Sequence, residues 1–194
     1  MRKSLVKRKT RETQIELELK LDGTGKYEIS TGVGFFDHMM ELFTRHGLFD
    51  IKLTVKGDTY TDCHHSVEDA GIVLGKAFKE SLGDMKGIKR YGNFYLPMDE
   101  TLTLTALDIS GRAYLHMDPI PDKRVGDMES EMVKEFFWAF VRNAGITLHI
   151  KLIHGDNTHH IIESIFKGVA RALDQATAID ERTRGEIPST KGVI

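Results

Sequence analysis

Apolar and polar positions alternate from Thr13 to Leu21 (Thr-Gln-Ile-Glu-Leu-Glu-Leu-Lys-Leu), the period of a strand with one buried face. Asp22-Gly23-Thr24-Gly25 is turn chemistry, so Lys26–Ser30 is expected to return as the hairpin partner of that strand. The period then changes. Phe35-Phe36-Asp37-His38-Met39-Met40-Glu41-Leu42-Phe43 has helical apolar spacing, and Gly47 is expected to end the helix. Ile51, Leu53 and Val55 alternate in a further strand, with Gly57-Asp58 as the next turn. A helix is predicted from about Ser66 to Leu82, with Val67, Ala70, Val73, Leu74 and Ala77 facing inward. Three short β-like runs follow: Asn93–Leu96, Thr101–Asp108 and Arg112–Met117. Pro119, Pro121 and Gly126 mark a loop. A helix from about Glu129 to Asn143, a strand over Ile146–Ile153 and a helix reaching about Ala178 complete the regular elements. The tail, Ile187–Ile194, reads as a polar loop.

The order of these elements repeats. Phe-Phe, helix, glycine, strand, Gly-Asp, His-His-x-x-Glu and helix occur twice, with Gly47/Gly145 and Gly57/Gly155 each 98 residues apart and the histidine pairs 95 apart. That period is too long for a solenoid. It predicts one α+β domain built by duplication of a β-α-β-α half-domain, with two sheets and helices packed between or against them, the halves spanning about 8–90 and 91–194.

The repeated cluster carries the chemistry. His64-His65-Ser66-Val67-Glu68 and His159-His160-Ile161-Ile162-Glu163 each place two imidazoles three and four residues before a carboxylate, one turn apart on a helix. Imidazole with carboxylate suits a divalent first-row metal such as manganese, iron or zinc. Adjacent histidines diverge by roughly 100° around a helix, so one cluster could serve two ions or begin on the preceding loop. The repeat also relates His38 to a position near 135 or 136, where Phe136 cannot bind metal and Glu135 can. His46, His116, His149 and His154 read as surface or helix-end residues, and Cys63 as a small buried side chain. Arg90, Arg112, Lys167, Ser189 and Lys191 are cationic or hydroxyl donors of the kind a phosphate requires; Lys167 shares a helical face with Glu163.

Composition narrows the field. The 194 residues, 40% apolar and 29% charged with a net charge of −2, give no broad electrostatic case for nucleic acid or membrane. The basic start, Arg2 to Arg11, is interrupted by Leu5 and Val6 and reads as a polar strand edge. A single cysteine excludes an internal disulfide framework and fits a reducing compartment. With no apolar run of spanning length and no signal-peptide core, a cytoplasmic protein is expected.

The motifs H-H-S-V-E-D, N-T-H-H-I-I-E, G-F-F-D-H-M, P-M-D-E-T, D-I-S-G-R and I-P-S-T-K-G-V together resemble the imidazoleglycerol-phosphate dehydratase family of histidine biosynthesis, over about Arg8 to Val193. The resemblance implies a ribosomal protein S5 domain 2-like fold and a large octahedral homo-oligomer. It also implies two Mn2+ per active site, with ligands drawn from more than one subunit. The family's metal ligands fall on His38, His64, His65, Glu68, His159, His160 and Glu163, and the eighth on Glu135, where some members have histidine. Its substrate and phosphate contacts fall on Arg90, Arg112, Lys167, Ser189, Lys191 and Asp99, and its N-terminal acid on Glu12. Leu42 stands where some relatives have a glutamine near the substrate. The implied reaction converts D-erythro-imidazole glycerol phosphate to imidazole acetol phosphate through a metal-bound imidazolate, with Glu68, Glu163 or Glu12 handling protons. Two other classes fit the ligands alone: a dinuclear metal phosphohydrolase, and a non-catalytic metal-binding assembly protein. The second has no use for the phosphate-type donors.

Overall fold

The computed structural model describes residues 2–183 and 185–194. The alternation becomes strand β2 (Thr13–Lys20), with Thr13, Ile15, Leu17 and Leu19 buried and the intervening residues exposed. β1 (Lys3–Lys9) pairs antiparallel along one side of β2, and β4 (Asp50–Gly57) along the other. Both sides of β2 are therefore taken. β3 (Tyr27–Ser30), expected as its hairpin partner, instead pairs parallel with β4, Tyr27 opposite Ile51 and Ser30 opposite Thr54. Helix α1 (Gly34–Gly47) supplies the crossover that a parallel pair needs.

The second half repeats this plan. β5 (Tyr91–Met98), β6 (Thr101–Asp108), β7 (Tyr114–Met117) and β10 (Thr147–His154) form a sheet of order β5-β6-β10-β7, matching β1-β2-β4-β3, again with the last pair parallel. Helices α2 (His64–Leu82), α3 (Glu131–Ala144) and α4 (Thr158–Thr177) complete the set. The expected β-α-β-α unit is present in each half, preceded by two further strands. Within the loop marked by Pro119, Pro121 and Gly126 lies a small hairpin, β8 (Arg124–Val125) and β9 (Met128–Glu129).

Each helix packs on the sheet or a strand of its own half and on one helix of the other, α1 with α4 and α2 with α3. The helices are thus buried between two sheets, and their apolar faces make one core. Phe36 of α1, Phe136 of α3 and Phe166 of α4 meet with ring centroids 5.2–6.5 Å apart. Each such ring contributes about 1.5–3 kcal/mol by leaving water. The α2–α3 crossing is close because Gly71 and Gly75 carry no Cβ; one added at either would lie 2.5 Å from a carbonyl oxygen of α3. Gly145 ends α3 in the left-handed region as expected, but at α1 that residue is Leu48 (φ 57). Gly47 is required by space instead, since a Cβ there would meet the Phe49 ring at 2.3 Å. No helix among the described residues is long and apolar enough to cross a membrane.

Candidate active site

The start of α4 is fixed by its cap. Asn157, in an extended conformation, accepts from the backbone N–H of His159 at 2.9 Å and of His160 at 3.4 Å. One turn on, Glu163 points back at His159, with 3.3 Å between Glu163 Oε2 and His159 Nε2. The α1–α4 packing brings His38 Nε2 within 3.7 Å of the same oxygen. Ligand atoms of His38, His159 and Glu163 all lie within 4.8 Å of one another, the one such trio of metal-ligating side chains found among the described residues. Donors bound about 2.1 Å from a common ion stand roughly 3–3.5 Å apart as neighbours, so this trio fits a divalent cation. The Glu163 side chain is only 9% exposed. Burial pushes its carboxyl up, but the Lys167 ammonium, paired with Oε1, and the two histidines outweigh that and hold it below the usual carboxylate range.

The first cluster is more open. His64 Nε2 lies 3.6 Å from Glu68 Oε2, and both side chains are about two-fifths exposed. His65 has its Nδ1 on Asp58 at 3.1 Å and its Nε2 3.9 Å from Glu12. His160 follows the same plan, with Nδ1 on Glu100 at 2.7 Å and Nε2 4.0 Å from Asp99. In each case the bound carboxylate favours the imidazolium: the hydrogen bond to Asp58 raises His65 and that to Glu100 raises His160. Glu100 itself is drawn down to about 2, first by His160 and then by the Asn157 N–H. A carboxylate on one ring nitrogen orients the imidazole and leaves the other free for a ligand. Asp58 and Glu100 escaped the sequence reading because both sit in turns; the Gly-Asp ahead of the first histidine pair was a signal for Asp58, whereas Glu100 lies in the β5–β6 turn, far in sequence from His160.

Glu135 is not part of the trio. It lines a cleft of about 370 Å³ with Met117, Asp118, Pro119 and Ile120. The phosphate-type donors divide. Arg90, Arg112, Ser189 and Lys191, spread over half the sequence, converge with Ser110 on one cleft of about 510 Å³. Arg90 forks onto Asp108 at 2.7 and 3.1 Å, and its third nitrogen binds the Pro188 carbonyl at 2.9 Å, which folds the tail over the cleft. Lys167 stands with the trio, and Asp99 faces His160.

Comparison with known proteins gives this arrangement a family. The family model for imidazoleglycerol-phosphate dehydratase matches residues 31–173. Curated imidazoleglycerol-phosphate dehydratases from Caldanaerobacter subterraneus and Thermoanaerobacter pseudethanolicus are 60% and 59% identical, each covering all of this chain and all of its own. Among solved structures, the imidazoleglycerol-phosphate dehydratase of Staphylococcus aureus superimposes with a TM-score of 0.83 at 42% identity, over 92% of this chain and 99% of that one. IGPD from Pyrococcus furiosus, in complex with (S)-C348, gives 0.84 at 36% identity, over 97% and 100%. The chain belongs to the imidazoleglycerol-phosphate dehydratase family and is a hydro-lyase of histidine biosynthesis.

Proposed function

We propose that this hydro-lyase takes water from D-erythro-imidazole glycerol phosphate, giving imidazole acetol phosphate, at a site that holds two Mn2+. The convergence of His38, His159 and Glu163 is the observation that carries the reading. That trio would hold one ion; His64, His65, Glu68 and His160 would supply ligands to the pair, with Glu135 reaching it only from another copy of the chain. When bound, such ions act as Lewis acids on the substrate imidazole and stabilise its deprotonated ring.

The chain's own residues bind and move protons. Arg90, Arg112, Ser189 and Lys191 line a cleft with the charge and donors to grip a phosphate, which fixes the reacting carbons relative to the histidines. Asp108 holds the Arg90 guanidinium in place for that contact. Glu163 is committed to two histidines and Lys167, so it suits a ligand better than a base. Glu12, with its side chain half exposed and Oε1 facing His65 Nε2, is free to move a proton at that oxygen. No described cluster offers more than three converging donors, short of the six an octahedral manganese site takes. The remaining positions are open to ligands from other copies of the chain, as in a large octahedral homo-oligomer in the cytoplasm with shared sites.

The test is turnover by metal-stripped protein with and without Mn2+, with the sedimentation of each form. Manganese-dependent release of imidazole acetol phosphate by a large particle is expected. Turnover that persists after complete metal removal would overturn the metal reading, and release of inorganic phosphate would favour a hydrolase.

A further inference from the structure

Helices α1 and α2 begin without a capping side chain at their N-cap positions, Val33 and Cys63, whereas α4 has Asn157. The first turn of α1 is served from the other half of the molecule. Asp127 Oδ2 accepts from Gly34 N–H at 2.7 Å and Oδ1 from Phe35 N–H at 2.9 Å, across more than 90 residues of sequence. Asp37 on α1 reaches back to Thr31 N–H at 2.8 Å, so it steadies the entry and leaves those two donors to Asp127. Asp127 sits at the tip of the β8–β9 hairpin beside Gly126 (φ 62), where a Cβ would lie 3.2 Å from Phe35 Cβ. The Phe35 ring packs edge-on against His159, with centroids 5.2 Å apart, and His38 lies one turn along α1 from Phe35. At its other end the hairpin reaches α2, where Cys63 Sγ lies 3.7 Å from Glu129 Oε2.

We propose that Asp127 is a positioning residue for the His38–His159–Glu163 trio: by capping α1 from the opposite half it fixes His38 through the first turn of α1 and His159 through Phe35. The inference rests on that trio holding an ion. A charge-assisted cap also suits the positive end of the helix. Because the hairpin joins the starts of α1 and α2, it registers the two histidine clusters against each other.

Amide hydrogen exchange of the metal-free protein and Mn2+ titration, on wild type, D127A and D127N, test this. In D127A the amides of residues 34–38 should lose protection and Mn2+ affinity should fall about tenfold or more, the scale of lost outer contacts around a metal site. D127N keeps one accepting oxygen for two N–H groups and should fall between wild type and D127A in affinity. Unchanged protection in D127A, or unchanged Mn2+ affinity despite lost protection, would each overturn the proposal. A wild type that binds no Mn2+ would instead bring down the ligand set, and this inference with it.

Discussion

The two His-His-x-x-Glu helices share a spacing and a carboxylate behind the second histidine, and differ in what surrounds the glutamate. At the start of α4, Glu163 is buried, is paired with Lys167 one turn on, and meets His159 and His38. At the start of α2, Glu68 is 40% exposed and meets His64, while the residue one turn on is Ile72. The helix packed on α4 brings a histidine to the cluster. The helix packed on α2 carries Glu135, which faces a separate cleft. Duplication thus copied the motif and the sheet topology, while helix pairing closed one cluster and left the other open within a single chain. On the proposed reading, the open cluster is the part another copy completes.

Replacing Glu163 is the severest way to break this comparison. E163Q should lower kcat about 100-fold or more, the scale of a lost proton-handling or ligating group. It should cost only about 1–3 kcal/mol of stability, since the amide still accepts from Lys167. E68Q should also lower Mn2+ affinity while leaving the unfolding midpoint of the metal-free protein unchanged, because Glu68 is solvated. Steady-state kinetics and denaturant unfolding on both variants check this pair. Removing the lysine that α2 lacks comes next. In K167M burial acts on Glu163 with less opposition, so its carboxyl rises and protons compete with Mn2+ up to a higher pH. The acid limb of Mn2+ binding should move upward, read by titration at several pH values.

Caps give a smaller contrast. N157A should cost about 1 kcal/mol and loosen both His159 and His160. Among the described residues Asp62 accepts from His64 N–H alone, at 2.8 Å, so D62A should cost less. The smallest effect concerns the outer carboxylates. The His160 hydrogen bond holds the Glu100 carboxyl below its ordinary value of 4.5, so its contribution is complete above that pH and lost as pH falls toward about 2. His160 is raised above 6.5, so its contribution is complete below 6.5 and lost as pH rises through the raised value. Their pairing should therefore show most between about pH 4.5 and 6.5. In the metal-free protein, E100Q should flatten the unfolding midpoint on both flanks of that window.

The sequence made the elements legible because they depend on local period: β2, α1, α3 and α4 lie within a few residues of the expected ranges. The partner of β3 was not local. With β1 and β4 on the two sides of β2, β3 lies at the outer edge of β4, a placement set by distant strands. The trio was legible in part, since the repeat singled out His38 before any contact was known. Its other product, Glu135, shows that equivalent sequence positions need not face equivalent space. Asp58, Glu100 and Asp127 lie in turns, where acidic residues are read as turn formers, and only the folded chain shows which imidazole or helix end each one meets. The Arg90–Pro188 contact is likewise invisible in sequence, because a polar tail carries no periodicity to say where it returns.

The most direct test of the unequal clusters is Mn2+ stoichiometry, counted by electron paramagnetic resonance on metal-stripped wild type, H38A and E68Q. The account predicts two tightly bound ions per chain in the assembled wild type. H38A should lose the ion of the trio while the particle stays assembled, and E68Q should lose an ion together with assembly. If H38A kept both ions, or if E68Q and H38A behaved alike in stoichiometry and sedimentation, the distinction between a closed and an open cluster would be contradicted.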